Sequence, residues 1–245
     1  MPIEFVSKPY DGHAITELQY EMVTKAVDVS DLTFDITMLV EVERAIDHVF
    51  NWLDMKGRDT IEIEKLAPYF GTMWPSALAL TAFLMQEKIA RLLPGKSLVE
   101  LGCGLALPSM ACSRMGAMVT AMDHHPDVPR FLELNVAQNE PCQLTFVAST
   151  DAAPTKEFLA KRAGTFDFVI ASDVLYEAPL AEVFSDQIST LAAPHGRVVV
   201  ADPGRPYIQS FVNGMGTRGW RHDLQPWTVP YMGKINDIFV LVFER

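Results

Sequence analysis

The stretch Val99-Glu100-Leu101-Gly102-Cys103-Gly104-Leu105-Ala106-Leu107-Pro108 constrains this chain more than any other. An apolar run, Ser97-Leu98-Val99, enters it, and an apolar, alanine-rich segment leaves it. That order spells strand, glycine turn, helix, a geometry in which a nucleotide-like ligand can approach bare backbone. Asp123, 19 residues after Gly104, closes a second apolar run over residues 117–122. A carboxylate at the tip of a second strand is placed to accept hydrogen bonds from ribose hydroxyls. A dinucleotide loop wants a third glycine where this chain has Leu107, which would crowd the helix entry and the pyrophosphate. The pattern reads instead acid-x-Gly-x-Gly-x-small, from Glu100 through Gly102 and Gly104 to Ala106. It suits a ligand that carries no phosphate but has a cationic or amino group, toward which Glu100 can offer its carboxylate. Ala106 is small, yet unlike glycine it does not enter positive φ freely. The competing reading is a tight strand-to-helix turn that binds nothing.

At 245 residues the chain fits one domain with an N-terminal extension, divided here at 1–65 and 66–245. No run approaches the roughly 18 apolar residues of a membrane span, and Met-Pro-Ile-Glu-Phe lacks the basic-then-apolar pattern of a secretory signal. Cys103, Cys112 and Cys142 are scattered without metal-ligand spacing, so they read as reduced thiols in a cytoplasmic protein, with no metal expected. A formal net charge of −11 repels phosphate backbones, which argues against a nucleic-acid binder and would attract a basic partner. An acidic surface also serves solubility alone, so charge excludes more than it identifies.

Residues 1–35 show little periodicity and read as an irregular arm. From Ile36 to about Met55 the apolar positions Leu39, Val42, Ile46, Val49, Phe50 and Leu53 recur at three and four, which predicts an amphipathic helix. A second helix is expected from Pro75 to Leu93, ended by Pro94-Gly95. Beyond Lys96 the spacing predicts strands at 97–101, 117–122, 142–148, 166–172 and 196–201, with helices from about Ala106, Pro126, Ala153 and Glu177. A helix near Ile208–Arg218 precedes two strand-like segments, Trp220–Thr228 and Ile235–Phe243. The fold class is therefore α/β: a Rossmann-like, seven-stranded, mostly parallel sheet with helices on both faces, an antiparallel C-terminal hairpin and a helical N-terminal extension.

Ligands of such sheets bind beyond the carboxyl ends of the strands. The residues there are the glycine loop, Asp123-His124-His125-Pro126, Ser149-Thr150-Asp151, Ser172-Asp173-Val174-Leu175-Tyr176-Glu177, and Ala201-Asp202-Pro203-Gly204-Arg205-Pro206. The glycine loop resembles motif I of the class I S-adenosylmethionine (SAM) methyltransferases. Asp173-Val174-Leu175-Tyr176 after an apolar run is similar to the Asp-x-x-Tyr motif of the seven-β-strand protein lysine methyltransferases. Met73-Trp74-Pro75 resembles the segment that precedes motif I in those enzymes, and Asp202-Pro203-Gly204-Arg205-Pro206 resembles the branch that methylates the electron transfer flavoprotein β subunit. The resemblance covers about residues 68–210. It implies SAM held by Trp74, Glu100, Gly102, Cys103, Gly104, Asp123, His124, Thr150, Asp151 and Ser172, with Asp173 and Tyr176 as catalytic residues on the acceptor side.

The chemistry of amine methylation suits these residues. An ammonium must lose a proton before its nitrogen can attack a methyl group, so the site has to hold the amine, exclude water and lower its pKa. Asp173 would steer the cation in, and Tyr176 with Trp74 would give it an aromatic wall. Against this, Asp173 could cap the helix that follows, Tyr176 could be a core residue and Trp74 a packing residue. His124 and His125 read as helix-entry residues beside the adenosine, and Asn135 and Asn139 as surface or packing-network residues. The first expectation is a SAM-dependent N-methyltransferase acting on lysine in a protein with a basic segment. The alternatives are a small-molecule amine or heteroaromatic acceptor, an idle SAM-binding module, and a dinucleotide oxidoreductase, which Leu107 disfavours. The oligomeric state is not readable from the sequence.

Overall fold

The computed structural model describes the backbone of Ile3–Phe5 and residues 18–58, 63–149 and 154–245. From the N-terminus, strand β1 (Ile3–Phe5) precedes a hairpin of β2 (Met22–Val29) and β3 (Leu32–Leu39). Helices α1 (Val42–Met55), α2 (Ile63–Leu66), α3 (Pro75–Leu84) and α4 (Glu87–Ala90) follow. The chain then alternates β4 (Ser97–Leu101), α5 (Leu107–Arg114), β5 (Met118–Asp123), α6 (Val128–Gln138), β6 (Leu144–Ala148) and α7 (Lys156–Arg162). It continues with β7 (Phe166–Ser172), α8 (Ala178–Leu191), β8 (Ala192–Asp202), α9 (Ile208–Thr217), β9 (Arg221–Tyr231) and β10 (Lys234–Glu244).

The main sheet has the order β1-β6-β5-β4-β7-β8-β10-β9. Its pairs are parallel except that β10 runs antiparallel to both β8 and β9. The seven expected strands are all in it, and β1 adds an eighth at one edge. β9 forms the opposite edge and carries Pro226 and Pro230, paired with Phe239 and Ile235 of β10. The central strands bury both faces, as alternation within β7 shows. Phe168 and Ile170 join the core beneath α3, α5 and α6, whereas Val169 and Ala171 join the core beneath α8 and α9. The strand order reverses at β4, with β5 and β6 on one side and β7 and β8 on the other, so the carboxyl ends of β4 and β7 open the crevice. α3 is apolar almost all round, with Leu78, Ala79, Leu80, Phe83 and Leu84 buried, and so lies inside the molecule instead of on its surface.

Two expectations about the N-terminal region need correction. Residues 22–39 form a hairpin, not an irregular arm running into a helix, and β1 makes residues 3–5 a sheet edge. Ile36 and Leu39 belong to β3, and the helix begins at Val42, burying Ala45, Val49 and Leu53 while Phe50 is exposed. The turn joining the strands is Ser30-Asp31, with Ser30 at φ 54, so the Asn-Gly or Asp-Gly signal that usually marks such a turn is missing. The stretch read as one helix from Pro75 to Leu93 is two, α3 and α4, separated at Met85-Gln86.

The hairpin is bolted to the main unit through α6. Asn135 and Asn139, one helical turn apart and buried, treat the free side of β3 as a ladder. The Asn135 amide accepts from Thr37 N–H at 2.7 Å and donates to Thr37 C=O at 3.3 Å. Asn139 accepts from Asp35 N–H at 2.9 Å and donates to Asp35 C=O at 2.7 Å. The expected packing network is thus a pair of side-chain amides standing in for a neighbouring strand. Phe34 and Ile36 of β3 share a core with Phe70 and Phe131, which brings the hairpin to the wall of the crevice.

Candidate active site

The loop after β4 is built from backbone that side chains would obstruct. Gly102 and Gly104 have φ 66 and 49, and a Cβ on Gly104 would lie 3.1 Å from the Phe70 carbonyl oxygen. Ala106 takes the third left-handed position at φ 57, where it is the N-cap of α5. Cys103 N–H donates to Met122 C=O at 2.9 Å, tying the loop to the end of β5. Asp123 completes the tie. Its Oδ2 accepts from Gly104 N–H at 2.9 Å and its Oδ1 from His125 N–H at 3.0 Å, with His124 Nδ1 at 3.6 Å.

These groups line a cavity of about 700 Å³ together with Trp74, Ser149, Ser172, Asp173 and Tyr176. The structure therefore brings Trp74, Gly102, Cys103, Gly104, Asp123, His124, Ser172, Asp173 and Tyr176 to one place. Thr150 and Asp151 lie outside the described residues. Glu100, expected to reach the ligand, does not itself line the cavity. It is fully buried behind the loop and accepts hydrogen bonds from Ser109 N–H, at 3.1 Å, and from Ser109 Oγ. Its other oxygen, Oε1, has no hydrogen-bond partner among the described residues, and burial pushes the carboxyl pKa up to about 8. The role that follows is to anchor the start of α5.

His125 is equally structural. Its Nδ1 accepts from Asp127 N–H at 3.1 Å and its Nε2 lies 3.1 Å from the Leu66 carbonyl, which fixes the neutral tautomer. Burial lowers its pKa to about 4, and the ring packs 4.3 Å from that of Phe70. This geometry leaves no imidazole nitrogen to serve as a base.

The acceptor-side groups gather at the end of β7. Asp173 has φ 60, and its N–H donates to Ala201 C=O at 3.0 Å. It does not cap α8, because the N-cap is Glu177 and no side chain bonds there. Arg205 Nη2 stands 2.7 Å from Asp173 Oδ1, and Arg205 Nη1 stands 2.9 Å from Asp202 Oδ2. Asp202 is fully buried and also accepts from the N–H groups of Gly204 and Arg205. Burial raises the pKa of Asp173, a rise that Ser76 and Arg205 oppose. Tyr176 is 47% exposed, a rim residue and not a core one, and burial of its phenol raises its pKa. Trp74 caps the entry to α3 and donates its indole N–H to Tyr69 C=O at 3.0 Å. Arg205, Asp202 and Ser76 were not singled out from sequence. Arg205 and Asp202 stand in a stretch noted after β8, but their pairing with Asp173 arises only when β7 and β8 lie side by side.

Known proteins share this fold. The fold superposes on the T. thermophilus 16S rRNA N2 G1207 methyltransferase RsmC in complex with AdoMet and guanosine, with TM-score 0.59 and 16% identity, over 93% of this chain and 52% of that one. It also superposes on precorrin-6y C5,15-methyltransferase from Geobacter metallireducens, with TM-score 0.52 and 13% identity, over 66% of this chain and 90% of that one. The fold is thus that of the class I methyltransferases, enzymes whose methyl donor is SAM. Residues 60–214 match the lysine methyltransferase family, and the chain belongs to it. Among curated relatives, the electron transfer flavoprotein β subunit lysine methyltransferase of Mus musculus is 28% identical over 165 residues, covering 66% of this chain and 60% of that protein. Its Xenopus laevis counterpart is 28% identical over 145 residues, 58% and 55% respectively, so this chain spans little more than half the length of those relatives. Histone-arginine methyltransferase METTL23 of Rattus norvegicus is 32% identical over 108 residues, 43% of this chain and 46% of that protein. Among the described residues no helix is long and apolar enough to cross a membrane.

Proposed function

We propose that the protein is a SAM-dependent N-methyltransferase that modifies a lysine side chain of a protein substrate, in the cytoplasm. The cofactor fits the residues present. Bare backbone at Gly102 and Gly104, the Asp123 carboxylate and a cavity of about 700 Å³ match a nucleoside with a short cationic tail. When bound, SAM supplies a sulfonium methyl group whose C–S bond breaks, the pair staying on sulfur, as a neutral amine nitrogen forms the new N–C bond.

The chain's own residues prepare the acceptor. Asp173 attracts an incoming ammonium and then orients the amine left after its proton passes to water. Ser76 and Arg205 oppose the rise that burial imposes on that carboxylate's pKa, and Arg205 limits the local charge, so the amine is not held too tightly as a cation. Tyr176 and Trp74 wall the cavity beside Asp173 and exclude water from it, so alignment carries most of the acceleration. The observation that carries this reading is Asp173 itself, a buried carboxylate held by Arg205 on one oxygen and placed beside the glycine-loop cavity. The similarity to enzymes named for lysine methylation supports a protein acceptor.

The test is incubation with methyl-labelled SAM and a cell lysate, counting protein and small-molecule fractions separately. Label in methyl-lysine, with Asp173→Asn slower by on the order of 100-fold while binding S-adenosylhomocysteine normally, is the expected result. Label only in the small-molecule fraction would transfer the assignment to a metabolite amine, a second reading favoured by Ile46 of α1 and Ile63 of α2, which lie over the cavity. Label in arginine would move it toward the activity named for METTL23.

A further inference from the structure

A second cavity, of about 400 Å³, lies on the other side of the Asp173–Arg205 pair. It shares Trp74, Asp173 and Arg205 with the first cavity and is otherwise walled by α3's start, the loop after β8 and the start of β10. Two polar atoms at its walls lack a well-formed hydrogen bond although both are buried: Asp173 Oδ2 and Ser76 Oγ. Ser76 is fully buried, and its hydroxyl stands near enough to Asp173 to favour the ionised carboxylate. Arg205 occupies the other oxygen of Asp173, leaving Oδ2 with the Ser76 hydroxyl as its neighbour. A carboxylate oxygen can accept more than one hydrogen bond, so Oδ2 has room for a further donor beside the Ser76 hydroxyl.

Resting on the reading that the protein methylates an amine, we infer that this second cavity seats the acceptor side chain, an aliphatic ammonium carried by a polypeptide segment, its nitrogen directed to Asp173 Oδ2 and Ser76 Oγ. The walls suit such a chain. Pro75, Pro203, Ile235 and Ile238 are apolar and line the path that a methylene stem would take. Asp237 is exposed among them, a carboxylate at the mouth that complements a basic segment. Ile235 is 70% exposed, an apolar contact free for the segment's backbone or neighbouring side chains. The nitrogen would then stand where the two cavities meet, reached from the side opposite the glycine loop. Entry from this side lets cofactor and acceptor bind without crossing each other's path.

The test has two arms on the full chain. In the first, the protein is crystallised with S-adenosylhomocysteine and n-butylammonium, and the probe's nitrogen is expected within hydrogen-bond distance of Asp173 Oδ2 in the smaller cavity. In the second, Ile235→Trp narrows the mouth. The rate of label transfer into protein is expected to fall at least tenfold while S-adenosylhomocysteine affinity stays within twofold. Leu224→Trp, also exposed on the hairpin but not lining the cavity, is the control and should keep the wild-type rate. Probe density confined to the larger cavity, or an unchanged rate for Ile235→Trp, would overturn the inference. In that event methyl-lysine made by the wild type would show that the lysine reading survives. Absence of methyl-lysine would sink that reading instead.

Discussion

Ala106 and Asp173 both hold left-handed backbone, at φ 57 and φ 60, where an L side chain costs about 1–2 kcal/mol. At Ala106 the cost has no visible return, since the methyl group is buried and makes no polar contact. Ala106→Gly removes it, offset in part by the greater freedom of glycine in the unfolded chain. A net gain of about 0.5–1 kcal/mol is expected, or roughly 2 °C in Tm for a chain of this size. A fall in Tm by calorimetry would show that the strain is not there. Glu100 yields a second expectation, with a definite sign. Its folded pKa of about 8 lies above the ordinary carboxyl value of 4.5, so folding takes up a proton between those limits. Stability should decline as pH rises from about 4.5 to about 8, and Glu100→Gln should flatten that decline in a series of urea titrations. Arg205→Gln removes a cation that opposes the burial-driven rise in the Asp173 pKa, so the carboxyl pKa rises further. The acid limb of the pH–rate profile should then move to higher pH, a shift that loss of folding alone would not give.

Among elements, those that alternate strand and helix were legible because each leaves a periodic or continuous apolar signature, and β4 and β7 fall on the expected residues. The hairpin was not legible. Its turn lacks glycine, and Leu39, Val42, Ile46, Val49 and Leu53 continue at helical spacing from β3 into α1. What fixes β3 is not in its own sequence but in α6, through Asn135 and Asn139. Asn135→Leu should therefore strand the Thr37 N–H and C=O, costing about 2–4 kcal/mol and showing first as hydrogen exchange at residues 32–39. The site divides in the same way. Gly102, Gly104, Asp123 and Asp173 were readable because each stands at or shortly after the carboxyl end of a strand. Glu100's burial, Arg205's pairing and the second cavity depend on which elements lie side by side.

At the scale of the whole molecule the charge of −11 has a measurable consequence if the acceptor is basic. Attraction between separated surfaces is screened within about 8 Å at physiological salt. The KM for a protein acceptor should therefore rise as ionic strength is raised from 0.05 M to 0.3 M, while the KM for SAM, held inside the crevice, changes little. Steady-state assays at fixed pH would separate the two. A KM for the acceptor that ignores salt would leave the negative surface to solubility alone. The sheet's outer strand bears on solubility too. A bare β9 would offer its outward backbone to any extended chain, yet Pro226 and Pro230, spaced four apart, remove two of the outward donors from that line. A foreign strand laid along it would meet gaps, so this margin resists templated growth into fibrils. Replacing both prolines with valine would make concentrated samples cloud on storage while the freshly folded enzyme still worked.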